Sequence, residues 1–433
     1  MKSTRTCDAP FHAPKQLAMF MDRIYHYRMT TTSGGNLSIR DEEGTLWITP
    51  SQVDKGRLLP RDIVCVRRDG TVDGRHKPSS EYPFHELIYS VRPDVRAIVH
   101  AHPVALVAFS ICGERPNTRA FSRAHVVCGE VGFAPYALPG SVKLGQNIAA
   151  EFAKGFNCVM LENHGVVVGG STLEEAFERF ETLEFTARII LKAKMLGGKI
   201  QYLSQEQLDL AENLHSGFST FTPAFTDHIE SNLREELCQF VQRGYRQRLL
   251  TAAQGSYSAR LDDFRFVITP REVDRATIES SDLVLVKKGW VEEGKEASRS
   301  LALHAAIYET HPEVRSIILA TPPNATAFSI TREEFDSKTI PESYIFLRNV
   351  PRIPYSWAYE KSIEVASRLS SFSPTVILEN NGVLVTGTSV LNAFDRLEVL
   401  ESTADALVNA HILGPVRPMG PEAILELETA FFI

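Results

Sequence analysis

Two histidines two residues apart, His100 and His102, close the run RPDVRAIVHAHP, which is rich in β-branched residues. In a strand, residues i and i+2 point to the same face, so both imidazoles can reach one ion. His164 follows in Glu-Asn-His-Gly, between two apolar runs, where a turn can project a third nitrogen. Three neutral imidazoles on a rigid sheet make a divalent-metal site with one position left open, as catalytic zinc requires. Taken alone, a His-x-His pair is more often partly exposed and inert. Glu81, in KPSSEYPFH, is an acid upstream of this pattern. Beside a metal, a carboxylate is a ligand, or a base that takes a proton from carbon next to a polarised carbonyl. Without a metal, Pro-Ser-Ser-Glu reads as a helix opening whose acid suits the dipole.

The chain supplies its own control, because it repeats. GGNLSIR at 34–40 meets QGSYSAR at 254–260, and WITPSQVD at 47–54 meets VITPREVD at 267–274, both displaced by 220 residues. RPDVRAIVHAHP meets HPEVRSIILATP at 311–322, displaced by 219, and LENHGVVV at 161–168 meets LENNGVLV at 378–385, displaced by 217. So steady a displacement indicates two copies of one domain, over 12–215 and 229–433, with 216–223, rich in small polar residues, as the linker between them. A polar residue kept in both copies is needed by the fold; one lost from the second is a candidate for chemistry. The positions of His100, His102 and His164 hold Leu319, Thr321 and Asn381, and Glu81 becomes Ser300. A fold that accepts those replacements did not need the originals. His85, one helical turn from Glu81, persists as His304, and is therefore assigned to structure. His125 aligns with nothing informative and reads as a core or surface histidine.

A glycine turn with an asparagine and small hydroxyls, Gly35, Asn36, Ser51, Ser79 and Ser80, can cradle an anion through side chains and backbone N–H groups. Short Gly/Ser segments are also simply turns. Their counterparts are Gly255, Ser256, Arg271, Ser298 and Arg299, which either bind an anion too or fill a dead pocket.

The elements that must position these groups recur in the same order in both copies. Helical periodicity covers Lys15–Tyr27 and Ile229–Leu250. Short strands follow at Leu37–Arg40, Thr45–Thr49 and Ile63–Val66, then a helix at Glu81–Val91 with Phe84, Leu87, Ile88 and Val91 on one face. Val95–His102 is a strand, Val142–Lys154 a helix, Val159–Leu161 and Val166–Val168 flank a turn, and Leu173–Leu196 is a long helix. Alternating elements joined by short turns predict an α/β class: two layered domains, each with a mostly antiparallel central sheet flanked by helices.

Composition excludes several functions. Hydrophobic residues are 43% and charged residues 23% of 433, an ordinary globular mix. The net charge of −7 leaves no basic footprint for nucleic acid. No apolar run reaches the length of a membrane span, and the first residues lack the apolar stretch of a signal peptide. Six scattered cysteines without a CxxC pair suit a reducing, cytoplasmic setting.

GGNLS, ITPS, KPSSE…H, HAH and ENHG, in this order and spacing, resemble the class II aldolase/adducin family, most nearly its L-fuculose-1-phosphate aldolase branch; the second copy is a degenerate version. The resemblance implies a nine-stranded, mostly antiparallel sheet between helical layers, in domains that assemble as a four-fold ring, so that two tandem chains suffice as a homodimer. It implies Zn2+, or another divalent metal, on His100, His102 and His164, Glu81 as acid/base, and Gly35, Asn36, Ser51, Ser79 and Ser80 lining a phosphate pocket. The reaction it implies is cleavage of a ketose 1-phosphate into dihydroxyacetone phosphate and an aldehyde through an enediolate. Two features depart from that pattern. Gln52 stands where the family usually has glycine after ITPS. An ungapped alignment back from APYALPG (134–140) places Phe121 where the aldolase branch has a proton-donating tyrosine. Dehydratases and epimerases of the same family are alternatives, although the epimerase branch carries aspartate at the position of Glu81. A non-enzymatic adducin-like interaction module, which would carry no metal, is the alternative of a different class.

Overall fold

The computed structural model describes residues 9–212, 218–223 and 227–432. Ser216 and Gly217, the start of the expected linker, lie outside the described residues. The chain forms two compact units, the first from the residues up to Thr118 together with Arg123–Arg188, the second from Arg119–Ser122 and the residues after Arg188.

In the first unit the strands are β1 (Asn36–Arg40), β2 (Leu46–Ile48), β3 (Val64–Val66), β4 (Val72–Asp73), β5 (Ala97–Ala101), β6 (Val131–Ala134), β7 (Cys158–Leu161) and β8 (Gly165–Gly170). They form one eight-stranded sheet in the order β4-β3-β2-β1-β5-β8-β7-β6. Every pairing is antiparallel except β6 with β7. The hydrophobic face is set by alternation along β5: Ile98 enters the core, Val99 faces the other side, and His100 returns to the face of Ile98. On that face the helices Tyr82–Val91 and Val142–Ala153 lay Phe84, Ile88, Leu144, Ile148 and Phe152 against Ile98, Val159 and Val167. Burying each such side chain stabilises the unit by about 1.5–3 kcal/mol. The helix Val142–Ala153 is started by Ser141, whose hydroxyl accepts from the Leu144 N–H at 3.2 Å.

The second unit repeats this plan. Its strands are β9 (Thr220–Phe221), β10 (Ser256–Arg260), β11 (Arg265–Ile268), β12 (Val284–Lys287), β13 (Trp290–Glu292), β14 (Ser316–Ala320), β15 (Arg352–Ile353), β16 (Thr375–Leu378) and β17 (Gly382–Gly387). Their order is β15-β16-β17-β14-β10-β11-β12-β13-β9. Eight of these reproduce the first sheet position for position, and β9 is the addition. The sheet thus has nine strands where the first has eight among the described residues. The physical reason is an edge: Thr220 and Phe221, inside the segment expected to be a linker, pair in parallel with Val291 and Glu292 and cover β13.

The expected helix Ile229–Leu250 is shorter in the structure, His228–Arg246. Arg248 takes φ +60° and turns the chain out of the helix, as Arg28 does with φ +56° after the helix Ala9–His26. The helix Val104–Ile111 carries no polar face that would have marked it. No helix among the described residues is long and apolar enough to cross a membrane.

Candidate metal centre

Three elements of the first unit bring the candidate residues together. β1 pairs with β5 so that Asn36 lies directly opposite His100, and β5 pairs with β8 so that His100 lies opposite Val167. His102, just past the end of β5, keeps the same face as His100. The turn between β7 and β8 supplies His164, held because its N–H donates to Leu161 O at 3.1 Å and to Ser110 Oγ at 3.0 Å. Asn163, which precedes it, takes φ +54°, and its counterpart Asn380 takes φ +50°. The turn therefore belongs to the fold, and only the residue after it differs between copies.

The ring centroids of His100, His102 and His164 lie 4.8–4.9 Å apart in each pair, and one nitrogen from each falls within 4.8 Å of the others. Among the described residues this is the one group of three such side chains placed to share an ion. His100 Nδ1 lies 2.9 Å from Val166 O. A carbonyl only accepts, so Nδ1 carries the proton and the lone pair of neutral His100 is on Nε2. That Nε2 is 3.1 Å from His102 Nε2 and 3.1 Å from Glu81 Oε2. When His100 is neutral, electron-rich atoms thus lie side by side, a crowding that a proton on Nε2 or a bound cation relieves. A divalent cation fits this donor set: three imidazole nitrogens, one from each histidine, with a carboxylate beside them.

Glu81 is buried and stands as the N-cap of the helix Tyr82–Val91, yet its side chain makes no capping bond. The carboxylate instead faces the histidines. Oε2 accepts from Asn36 Nδ2 at 2.8 Å, and Oε1 lies 3.7 Å from His164 Nε2 and accepts no hydrogen bond from the described residues. Burial alone would raise its pKa, but the charge and hydrogen bond of His100, with His164 and Asn36 behind them, hold it well below the usual carboxylate range. His100 is raised for the complementary reason: burial disfavours its charge, and the Glu81 carboxylate outweighs burial. Burial, then the neighbouring imidazoles, push His102 down to about 3 and His164 down to about 4. Both are neutral at pH 7, the form that ligates metal.

The expected anion-binding residues do not all behave alike. Gly35 takes φ +70°, and a Cβ there would meet His100 O at 2.8 Å, so the turn approaches β5 as closely as glycine allows. Ser79 is buried and accepts from the Glu81 N–H at 3.3 Å. Ser80 is exposed, and Ser51 is half-buried with its hydroxyl 3.4 Å from Lys77 O. Gln52 takes φ +54°, the left-handed conformation for which glycine is the usual residue. Asn36 is buried with its amide turned toward Glu81 and His85. His125 is half-buried, with Nδ1 3.1 Å from Thr118 Oγ1.

Two residues escaped the sequence reading. A Cβ on Gly34 would lie 3.0 Å from His102 Nδ1; where Thr321 replaces the imidazole, Gln254 replaces the glycine. Thr30 Oγ1 lies beside both glycines, buried and with no partner among the described residues. Its counterpart is Leu250, so the comparison between copies contained the signal.

The two units, their shared strand order and the motifs around this centre agree with a family match. The chain belongs to the family described as Class II Aldolase and Adducin N-terminal domain, whose model matches it twice, at residues 15–191 and 235–408. Among curated relatives, a 3-oxo-tetronate 4-phosphate decarboxylase of Haemophilus influenzae is 34% identical over 206 residues, 46% of this chain and 97% of its own length. A 5-deoxy-D-ribulose 1-phosphate aldolase of Bacillus thuringiensis serovar kurstaki is 34% identical over 213 residues, 48% of this chain and 95% of its own. Among solved structures, L-fuculose-1-phosphate aldolase from Thermus thermophilus matches with a TM-score of 0.39 and 26% identity, covering 44% of this chain and 97% of that one.

Proposed function

We propose that this chain is a metal-dependent lyase that breaks a carbon–carbon bond next to the carbonyl of a sugar phosphate. The substrate is a ketose 1-phosphate, and the products are dihydroxyacetone phosphate and an aldehyde. The observation that carries the reading is that His102 Nε2 and Glu81 Oε2 each lie 3.1 Å from His100 Nε2, with His164 beside them. His100, His102 and His164 hold the ion, Zn2+ by the donor set, within a domain over 12–215; the domain over 229–433 lacks the ligands.

When bound, a divalent ion supplies Lewis acidity, which stabilises negative charge developing on the substrate's carbonyl oxygen. The protein does the rest. Glu81, ionised at neutral pH, takes a proton from the carbon beside the carbonyl in the direction of condensation and returns it in the direction of cleavage. Asn36 fixes the carboxylate oxygen that faces His100. The turn at Gly35 with Ser51, Ser79 and Ser80 receives the phosphate through N–H and hydroxyl donors. Thr30, buried without a partner among the described residues, adds a hydroxyl directed to the same turn. The similarity to a 5-deoxy-D-ribulose 1-phosphate aldolase supports this class of substrate.

A second reading is decarboxylation of a 3-oxo acid phosphate, and one residue favours it. Aldol cleavage turns a hydroxyl into an aldehyde carbonyl, so a residue must accept that hydroxyl's proton and return it in condensation, whereas decarboxylation starts from a carboxylate and needs no such transfer. Phe121, aligned with the tyrosine of the aldolase branch, is apolar, buried and without a hydroxyl, and so can neither accept nor return that proton. In both reactions Glu81 protonates the carbon that inherits the electron pair. We further propose a cytoplasmic homodimer whose four domains make the family ring.

One assay separates these readings. Metal-loaded protein is incubated with a panel of ketose 1-phosphates, with dihydroxyacetone phosphate as readout, and with 3-oxo-tetronate 4-phosphate, with carbon dioxide as readout. Dihydroxyacetone phosphate is the expected product. Carbon dioxide from 3-oxo-tetronate 4-phosphate, which leaves dihydroxyacetone phosphate behind, with no cleavage of any ketose 1-phosphate would select the second reading, and no turnover of either substrate at full metal occupancy would overturn both.

A further inference from the structure

Behind Glu81 runs a buried chain of hydrogen bonds. His85 Nε2 lies 2.5 Å from Asn36 Oδ1 and His85 Nδ1 lies 2.7 Å from Ser38 Oγ. Ser38 Oγ is 2.7 Å from Tyr89 OH, whose one proton is shared between Ser38 Oγ and Ser38 O, the latter at 3.2 Å. The far end fixes the direction of every proton. The Glu81 carboxylate only accepts, so Asn36 must present Nδ2 to it and turn Oδ1 toward His85. His85 must then carry its proton on Nε2, leaving Nδ1 to accept from the Ser38 hydroxyl. Burial holds His85 down to about 3, so it remains neutral with a single defined tautomer.

The second unit shows which part of this chain the fold requires. There His304 Nδ1 lies 2.7 Å from Ser258 Oγ, which lies 2.8 Å from Tyr308 OH, as in the first unit. The link onward is missing. Ser256 stands in place of Asn36, and both Ser256 Oγ and His304 Nε2 are buried without a partner among the described residues. The fold therefore holds this histidine by its Nδ1 side and tolerates an orphaned Nε2. The His85–Asn36–Glu81 link exists only where the histidine ligands and the carboxylate exist.

From this juxtaposition we propose that Asn36 and His85 are positioning residues for the Glu81 carboxylate, with His85 locking the Asn36 amide so that its N–H2 group faces Glu81. Asn36 is thereby assigned to the acid/base group rather than to the phosphate pocket. The inference rests on the reading of Glu81 as the proton-transfer group. A carboxylate free to rotate away from the reacting carbon loses rate steeply, since small misplacements of a catalytic group cost up to about 100-fold.

The test is a double-substitution cycle on the full chain, with metal content measured on each preparation. Asn36→Ser introduces the residue that the second unit already carries at this position, so the fold accommodates it. It is expected to lower kcat about 10- to 100-fold while KM changes less than about twofold and metal content stays unchanged. His85→Asn is expected to lower kcat similarly, and the double substitution to lower it no further than Asn36→Ser alone. His85→Gln, whose amide nitrogen replaces Nε2, should recover most of the loss. His304→Asn, an equal insult to the second unit, should lower thermal stability like His85→Asn and leave kcat unchanged. A raised KM with unchanged kcat in Asn36→Ser would return Asn36 to the phosphate pocket and overturn the proposal, as would additive losses in the double substitution. Wild-type protein without turnover at full metal occupancy, or Glu81→Gln with wild-type turnover, would instead overturn the underlying reading of Glu81.

Discussion

Replacing one oxygen of Glu81 by nitrogen removes the proton acceptor but keeps the size of the side chain. Glu81→Gln should therefore keep the fold, at least part of the metal, and ligand binding, because the three histidines and the Gly35 turn remain. General acid–base groups typically contribute about 10²–10⁴-fold, so turnover should fall by that order with little change in affinity. A helix-start acid would behave differently, losing only a few tenths of a kcal/mol of stability with near-normal turnover. The geometry argues against that role, since the carboxylate makes no capping bond to its helix and faces His100 instead. Activity and metal content measured on one preparation decide the matter: near-normal turnover at full occupancy would leave Glu81 structural.

At the scale of elements, β5 and β14 show how one strand serves two purposes. Ile98 and Ile317 anchor both strands in their cores, and the next residues on that face are His100 in one and Leu319 in the other. The helix packed on each strand keeps its buried histidine in both units, and burial pushes His304 down to about 3. The folded-state pKa lies below that of the unfolded chain, so the unfolded state takes up the proton first as pH falls. The contribution of neutral His304 is complete above about pH 6.5 and is lost progressively between there and about pH 3. One such group costs roughly 1.4 kcal/mol per pH unit across that window. Urea unfolding at pH 7 and pH 5 should show this fall, and His304→Asn should lose its share of the slope. Equal slopes in wild type and variant would mean that His304 accepts its proton without unfolding.

At the scale of the whole molecule, the two units differ in what they can hold. His100, His102 and His164 form a group that could hold an ion, whereas Leu319, Thr321 and Asn381 offer no strong ligand. Elemental analysis should find one divalent metal per chain, falling to none in His102→Ala with the sheet intact, because Thr321 shows that a small polar residue fits there. Two equivalents, with one surviving the substitution, would refute it. If the four-domain ring of the family is assembled from tandem chains, light scattering at micromolar concentration should report a dimer, and a monomer would exclude that assembly.

The repeat, the α/β class with its mostly antiparallel sheets, and the identity of the three histidines were all determined by the chain's own residues. Period-two alternation and matched motifs are local signals, and a strand spacing of two residues places His100 and His102 on one face whatever surrounds them. The comparison between copies then separated residues needed by the fold from residues free to do chemistry. At His85 it registered the Nδ1 contact shared with His304 and could not register the Nε2 contact to Asn36, which the second unit lacks. Only the tertiary structure decided that Asn36 lies opposite His100 across β1 and β5, that its amide joins His85 to Glu81, and that Thr220–Phe221 covers a sheet edge. Each of these depends on strand register and on contacts between segments tens of residues apart, where hydrogen-bond direction and close packing, rather than local sequence pattern, select the arrangement.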